Sequence, residues 1–361
     1  MLPVYSQVFT EEDAKSAYEA VRSGFLSSGN YVKDLEDNFA SYVKRKRAST
    51  CSNGTAALYL ALRALNIENS VVAIPACGYV AAAFAASMTH NKIVFIDCEN
   101  DTWNMDMEKL EEAFSGYDIS CVITIHNYGS PVDITSLLNL KSKYNFKLIE
   151  DACEALGAMY HGNPIGSFGE VSLFSFYGNK TISCGEGGII VCDDDEIDHK
   201  IKLLKGQGQD PNRRFYHIIK AFNFRLTNLQ SAVALSQFSR IDETLENQRR
   251  VVNLYRKHLP NFVELQGTLP NCDHSWWMVS IKKPGDLEFY NKMSIAMSAA
   301  GIETRPIFPP IPSMDAFIEY KNSSDYNNAI VLNKSAISLP SGPGLLETDI
   351  IRVCEVLKNH G

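Results

Sequence analysis

Hydrophobic residues recur along the first half of the chain as short continuous runs separated by longer amphipathic stretches. We predict strands buried on both faces at these runs, because they lack the alternation of a half-solvated strand. The predicted strands are 71–75, 93–97, 121–126, 147–151, 171–176 and 188–192, and helical patterns lie between many of them at 55–65, 107–114 and 134–144. This rhythm predicts an α/β fold with a mostly parallel sheet. The sheet should be mixed, since only a loop joins its last two strands.

The pattern changes after residue 227. A long helical stretch is predicted from 227 through 255, with a charged middle typical of an exposed connector. Beyond Pro260 we predict a strand at 276–281, a helix at 286–300 and a proline-rich segment at 301–311. We therefore place a large domain at 1–242 and a smaller C-terminal domain at 243–361, with the extreme N-terminus free to pack on the small domain.

Composition narrows the class of protein. The chain has 361 residues, of which 45% are hydrophobic and 21% charged, as in a soluble globular protein. Its net charge of −8 argues against a nucleic-acid binder, which needs a basic face. Nine cysteines without a CxxC pair predict neither a disulfide framework nor a metal site. With no signal peptide and no apolar run of about 20 residues, we expect a cytoplasmic protein that does not span a membrane.

The first segment with candidate chemistry is Ser52-Asn53-Gly54-Thr55, which precedes an alanine-rich helical pattern. A glycine turn at a helix N-terminus presents free N–H groups and the positive end of the helix dipole, which suits a phosphate group. Any capped helix can begin with such residues. Alone, the segment therefore favours an ordinary helix cap.

The second segment is the acidic end of predicted strand 147–151. Asp151 falls at the carboxyl edge of the sheet, where α/β folds bind their ligands, and Glu154 follows shortly after. A carboxylate there can pair with a pyridinium nitrogen and keep the ring protonated, which makes the ring an electron sink. The same acids could instead stabilise a helix N-terminus. The segment alone does not decide between the two interpretations.

The third segment is SFYGNK, which ends in Lys180 just beyond predicted strand 171–176, with the glycine-rich run GEGG shortly after. Burial of a lysine favours its neutral amine, the form that acts as a nucleophile. Glycines allow the backbone to approach a bulky ligand closely. A lone lysine is more often an exposed loop residue. The phosphate loop, the strand-end aspartate and this lysine, in that order, together predict a pyridoxal phosphate (PLP) site of fold type I.

The run EDACEALGAMYHGNPIGSFGEVSLFSFYGNKTISCGEGGIIV closely resembles the DegT-type sugar aminotransferases. The resemblance continues at 51–57, at KGQG (205–208), at FNFRLTN (222–228) and at ETRP (303–306), and so covers nearly the whole chain. It implies a fold-type I PLP-dependent aminotransferase with a three-layer large domain and a smaller α+β domain. The implied reaction moves the amino group of glutamate to a keto group of a nucleotide-linked keto-deoxysugar, for surface polysaccharide biosynthesis. The implied assembly is a homodimer with shared active sites.

The resemblance also implies roles for individual residues. Lys180 would form the Schiff base with PLP and move the proton between cofactor and substrate, while Asp151 would hold the pyridine nitrogen. Glu154, one helical turn later, would reach the ring hydroxyl. The other implied cofactor-binding residues are the phosphate ligands Gly54, Thr55 and Ser175, the ring-stacking Tyr79, and Asn223, which would reach the phosphate bound by the neighbouring subunit.

The chain departs from the family pattern on the substrate side. Pro312 stands where relatives have the histidine of a PxHxxP motif, which is thought to line the sugar pocket. The segment 221–226 reads AFNFRL instead of GYNYRM, and Ser183-Cys184 replaces a pair of threonines. Because these changes remove polar groups, a small keto-phosphate such as dihydroxyacetone phosphate is an alternative substrate. Arg225 and Arg305 are candidates for binding the carboxylate of the amino donor by residue type alone.

Two further alternatives change the reaction class. A PLP-dependent sugar dehydratase is disfavoured by Lys180, because the known dehydratases of this kind replace the lysine by histidine. A non-enzymatic regulator is disfavoured by the intact pair of Lys180 and Asp151, since a buried lysine and aspartate are costly to keep without a use.

Overall fold

The structure is a computed structural model of the chain and describes residues 1–321 and 325–361. Its strands are β1 Arg47–Cys51, β2 Val71–Pro75, β3 Lys92–Ile96, β4 Cys121–Ile125, β5 Lys147–Asp151, β6 Met159–Tyr160, β7 Asn163–Pro164, β8 Val171–Ser175, β9 Gly188–Cys192, β10 Glu264–Leu265, β11 Cys272–Asp273, β12 Val279–Lys282, β13 Arg305–Pro306 and β14 Ala336–Leu339. Its helices are α1 Glu11–Arg22, α2 Asn30–Tyr42, α3 Gly54–Ala64, α4 Ala81–Met88, α5 Met107–Ala113, α6 Ile134–Tyr144, α7 Asp195–Lys205, α8 Asn228–Phe238, α9 Ile241–His258, α10 Phe289–Ala299, α11 Asn327–Ser335 and α12 Glu347–His360.

A seven-stranded sheet with the order β1-β9-β8-β5-β4-β2-β3 forms the centre of the large domain. Strands β8, β5, β4, β2 and β3 run parallel, and β9 runs antiparallel to both β8 and β1. Neighbouring residues of one strand face different hydrophobic clusters, as Leu148 and Ile149 do in β5. Both faces are therefore covered, and the predicted three-layer arrangement with a mixed, mostly parallel sheet is confirmed.

A second sheet, with the order β10-β12-β14-β13, is antiparallel and packs against α9, α10 and α12. Helix α9 connects the two halves of the chain. Its Leu245 packs in a cluster with the large sheet, whereas Val251 and Tyr255 pack in the core of the second sheet. The N-terminus reaches that sheet too, because Leu2 bridges Ile302. The domain boundary at residue 243 falls within α9 and stays a prediction.

Two sequence predictions in this region were wrong in detail. The single helix predicted over 227–255 is two helices, α8 and α9, separated at Ser239 and Arg240. The break allows Arg240 to form two hydrogen bonds with Asp13, at 2.8 and 2.9 Å. The strand predicted from 276 begins only at Val279, because Trp276 has a left-handed φ of 55° that no strand residue adopts.

Strand β1 was not predicted, because its sequence RASTC is short and largely polar. It is specified by its antiparallel pairing with β9, a contact distant in sequence. The alanine-rich segment 81–88 forms helix α4, most of whose residues are buried. Along the ranges 1–321 and 325–361, no helix is long and apolar enough to cross a membrane.

Candidate active site

Strand register brings the three sequence segments to one edge of the large sheet. Gly188, the first residue of β9, pairs with Cys51 at the end of β1 on one side and with Ser175 at the end of β8 on the other. Asp151 ends β5, the next strand along. Since β1, β8 and β5 all finish here, the loops that follow them converge at the carboxyl edge, where α/β sheets bind ligands.

The loop after β1 forms a small cradle at the N-terminus of α3. Asn53 caps this helix, with its Oδ1 accepting the N–H of Ala56 at 2.8 Å. The N–H groups of Gly54 and Thr55 belong to the first turn and have no intrahelical partner. A Cβ atom added at Gly54 would lie 3.0 Å from Cys153 Sγ and 3.5 Å from Ser175 Cβ. Glycine therefore keeps open a space lined by helix N–H groups and the Ser175 side chain.

The GEGG glycines were predicted to admit a bulky ligand. The structure gives Gly188 a different close neighbour, because a Cβ atom there would lie 2.9 Å from the backbone carbonyl group of Asn53. Gly188 thus lets β9 pack directly against the capping turn of α3. Gly188 therefore supports the cradle by allowing this close packing of two backbone segments, and not by making room for a ligand.

Lys180 lies on the loop between β8 and β9, and its side chain is only 12% exposed. Its Nζ lies 3.7 Å from Glu154 Oε1 and 3.5 Å from the centroid of the Trp277 ring. Gln7, from the N-terminal segment, donates from its side chain to the Lys180 carbonyl oxygen at 3.0 Å. The predicted alternative of an ordinary exposed loop lysine is therefore wrong.

Asp151 is buried at the end of β5, with 5% of its surface exposed. Burial raises the pKa of its carboxyl group, and this outweighs the opposing effects of hydrogen bonds from Cys153 and the charges of Lys180 and His126. The Cys153 N–H donates to Asp151 Oδ1 at 3.1 Å. A raised pKa means that the protein alone does not fully compensate this charge. A cationic ring nitrogen is the type of group that would do so.

Glu154 connects Lys180 to a neighbouring loop. Its Oε2 accepts the N–H of Tyr128 at 2.8 Å, while its Oε1 faces the Lys180 ammonium. Burial raises the pKa of Glu154, and the charge of Lys180 opposes that rise. The segment that carries it was predicted to continue as a helical turn after β5. It instead forms successive tight turns, with the Ala155 N–H bonded to the carbonyl oxygen of Ala152.

Glu150 is fully buried, and it anchors the end of β5 from the side opposite to Asp151. Its two oxygens accept hydrogen bonds at 2.6 to 3.0 Å from the N–H groups of Gly166, Phe168 and Gly169 and from the Ser172 hydroxyl. Burial alone would raise the pKa of Glu150, but these donors and His126, whose Nε2 lies 3.4 Å away, lower it. Glu150 is therefore a structural carboxylate, which distinguishes it from its neighbour Asp151.

Two predicted cofactor residues lie at the surface of the single chain. Tyr79 is 56% exposed, and its ring centroid lies 5.8 Å from that of Phe308. Asn223 is exposed, and its Oδ1 accepts the N–H of Arg225 at 3.3 Å. An exposed ring suits a stacking role, and an exposed asparagine suits a role in a neighbouring subunit. Both roles stay predictions.

The substrate-side candidates differ in their surroundings. The Arg305 guanidinium forms an ion pair with Glu303 at 2.6 Å, whereas Arg225 is exposed. Pro312 is buried in a short helical turn next to Ile311, whose N–H donates to the carbonyl oxygen of Ala76. The proline-rich segment is thus packed onto the large domain.

Sequence reasoning missed Trp277, Tyr128 and Gln7 as contributors to this site. Each comes from a segment far from Lys180 in sequence, and none belongs to a motif with a recognisable spacing. The only available signal was the pair Trp276-Trp277, which lies in the predicted strand 276–281. Their role depends on tertiary packing that no local pattern encodes.

The described side chains fit pyridoxal phosphate. The cradle of Gly54, Thr55 and Ser175 suits the phosphate, the uncompensated buried carboxylate of Asp151 suits the pyridine nitrogen, and Lys180 supplies a nearby amine. The helix N–H groups can donate hydrogen bonds to a phosphate, and the carboxylate has the charge opposite to that of a pyridinium nitrogen.

Comparison with known proteins gives a family match over nearly the entire chain. The model of the DegT/DnrJ/EryC1/StrS aminotransferase family matches residues 7–358. GDP-perosamine synthase of Escherichia coli O157:H7 is 34% identical over 356 residues, covering 98% of this chain and 97% of that protein. EpsN of Bacillus subtilis, a candidate pyridoxal phosphate-dependent aminotransferase, is 31% identical and covers 94% of this chain and 90% of its own.

A solved structure supports the same relationship. DesV of S. venezuelae superposes with a TM-score of 0.90 at 27% sequence identity, covering 97% of this chain and 94% of that chain. The similarity therefore extends over the large sheet, the second sheet and the connections between them.

Proposed function

The chain belongs to the DegT/DnrJ/EryC1/StrS aminotransferase family, and from this premise we propose that it moves the amino group of glutamate to a nucleotide-linked keto-deoxysugar. It is an aminotransferase that depends on pyridoxal phosphate. The observation that carries the proposal is the placement of the Lys180 amine, 3.7 Å from Glu154 and within electrostatic range of the buried Asp151.

Bound pyridoxal phosphate supplies an electron sink for the removal and return of a proton at the substrate carbon. Asp151 would hold the pyridine nitrogen in its charged form, because its buried carboxylate lacks full compensation within the protein. Gly54, Thr55 and Ser175 would bind the phosphate. Lys180 Nζ would carry the proton, and Glu154 Oε1 would keep that nitrogen directed into the site between transfers.

Relatives support the class of keto substrate. The sequence motifs resemble those of GDP-perosamine synthase, and such enzymes from Escherichia coli, Caulobacter vibrioides and Vibrio cholerae are 33–36% identical to this chain. A transaminase from Aneurinibacillus thermoaerophilus named for a dTDP-linked amino-dideoxysugar is 28% identical. Nothing in these comparisons favours a small keto-phosphate as the substrate.

A homodimer is part of the proposal. Asn223 is exposed, and the segment before it carries a set of exposed apolar side chains, namely Phe215, Tyr216, Ile218, Ile219 and Phe222. An apolar surface of this kind is typical of a protein–protein interface.

We place the enzyme in the cytoplasm, where nucleotide-linked sugars would be its substrates.

Mass spectrometry of the products tests the substrate class. With glutamate as donor, we expect GDP-4-keto-6-deoxymannose to be converted to an amino sugar and dihydroxyacetone phosphate to be left unchanged. Lys180→Ala is the matched control and should give no product from either compound. Efficient turnover of the triose phosphate, with none of the nucleotide sugar, would contradict the proposed substrate and favour the small-substrate alternative.

A further inference from the structure

Trp277, which lies just before β12, contacts the lysine loop of the large domain in two ways. Its ring centroid lies 3.5 Å from Lys180 Nζ, and its indole N–H donates to the carbonyl oxygen of Asn179 at 2.6 Å. One side chain therefore touches both the amine of Lys180 and the backbone of the residue before it. The contact also links the second sheet to the loop that carries the lysine.

Trp277 is itself held firmly in place. It is 6% exposed, and its ring lies nearly parallel to that of Tyr128, with an interplanar angle of 13° and a centroid distance of 6.3 Å. Tyr128 in turn donates its N–H to Glu154 Oε2. The aromatic face and the Glu154 carboxylate therefore belong to one packed unit, and both are directed at the same ammonium group.

The lysine loop needs such an anchor. Gly178 and Gly185 flank Lys180, and glycine gives a loop backbone more conformations than any other residue. The face of an indole ring attracts a cation, and the attraction grows when the pair is shielded from water. We infer that Trp277 is the positioning residue for Lys180: its N–H fixes the loop backbone, and its ring face holds the ammonium. This inference rests on the proposed role of Lys180.

The contact has opposite effects on the two steps of bond formation with pyridoxal phosphate. The ammonium must first lose a proton, and the ring face opposes that loss because it stabilises the charged form. The neutral nitrogen then adds to the aldehyde carbon. A C=N bond replaces C=O, and the oxygen leaves as water with the two remaining amine hydrogens. The fixed loop favours this second step, because it holds the nitrogen in place. Glu154 lies 3.7 Å from the ammonium, and Asp151 and Cys153 are close enough for the charge of Lys180 to affect their pKa values.

The test measures how fast the cofactor-free full chain captures pyridoxal phosphate, followed by the visible absorbance of the imine over about pH 6 to 9. For Trp277→Leu, we expect the maximal rate at high pH to fall about two- to tenfold, because the anchor to Asn179 is lost.

Two aromatic variants separate the contacts. Trp277→Phe keeps a smaller ring face but loses the N–H, so its maximal rate should fall, but by less than that of the leucine variant. It also provides the measurement if Trp277→Leu does not fold. Trp276→Phe is the matched control, because Trp276 is equally buried but stacks on His274, at 3.8 Å between centroids. It should behave like the parent protein.

Affinity for pyridoxamine phosphate distinguishes positioning from a general structural role. This compound has no aldehyde and cannot bond to Lys180, so its affinity should stay within about twofold of the parent value in both Trp277 variants. Capture by Trp277→Leu at the parental rate would overturn the inference, as would a loss of pyridoxamine phosphate affinity in proportion to the loss of capture.

Lys180→Ala separates failure of this inference from failure of the proposed function. If this variant still gives the imine absorbance, the assignment of the lysine is wrong. If it gives none and the Trp277 variants capture normally, only the role of Trp277 is wrong.

Discussion

Asp151 is subject to opposing demands from catalysis and from stability. Its carboxylate is proposed to keep the cofactor nitrogen charged, so Asp151→Asn should reduce kcat/KM by about 30- to 5,000-fold, or about 2–5 kcal/mol of barrier. Steady-state kinetics with glutamate and the keto-sugar would measure this. An asparagine variant within a few-fold of the parent would refute the role.

The same substitution should stabilise the cofactor-free protein at neutral pH. Burial raises the pKa of Asp151, so ionising this group favours the unfolded state, where its pKa is ordinary. The stability that the protonated carboxyl group of Asp151 contributes is therefore lost as the pH rises through its folded-state pKa. Thermal unfolding should show a higher Tm for Asp151→Asn at pH 7. The difference should vanish below the ordinary aspartate pKa, where both states are protonated. A lower Tm at pH 7 would contradict the burial argument.

Individual site residues were predictable where a charged side chain stands at or after the end of a predicted strand. Asp151 and Lys180 stand just beyond buried runs, and the sheet register then brings those runs to one edge. Trp277 was not predictable, because its contact with Lys180 joins segments far apart in sequence through packing. The environment of Glu150 was not predictable either, because its four hydrogen-bond donors come from residues 166–172, whereas Asp151 accepts the N–H of nearby Cys153.

At the scale of elements, the N-terminus of α3 depends on the absence of a side chain at Gly54. Gly54→Ala would bring a Cβ atom to 3.0 Å from Cys153 Sγ and narrow the cradle. We expect the affinity for pyridoxal phosphate to fall about ten- to a hundredfold, the size of one lost hydrogen bond to a charged group. Equilibrium dialysis of the cofactor would measure it.

Gly116→Ala is the control for this change, since a Cβ atom there meets nothing within 4 Å. It should leave cofactor affinity unchanged. Parental affinity in Gly54→Ala would show that the cradle does not bind the phosphate.

Element positions followed the hydrophobic pattern closely where burial alone defined them. Strands β2, β5 and β9 match their predicted bounds, because continuous apolar runs mark strands that are covered on both faces. The break between α8 and α9 was missed, since it depends on the pairing of Arg240 with Asp13, a contact between distant segments. Strand β1 was missed for a similar reason.

At the scale of the whole molecule, the proposed sharing of sites between subunits predicts complementation. A mixture of Lys180→Ala and Asn223→Ala protomers would form hybrid dimers with one site that has both residues. After subunit exchange at equal amounts, roughly a quarter of the parental number of sites should be competent. Activity assayed at limiting cofactor should exceed the mean of the two unmixed variants. Activity equal to that mean, or an active monomer, would contradict the shared site.

The central claim is that Lys180 is the residue that bonds to the cofactor, and borohydride reduction tests it most directly. Reduction converts the imine to a stable amine, so peptide mass spectrometry can identify the labelled lysine. We predict that the cofactor label lies on Lys180, and that Lys180→Ala binds the cofactor without a covalent link and does not turn over. Label on a different lysine, together with turnover by Lys180→Ala, would contradict the account.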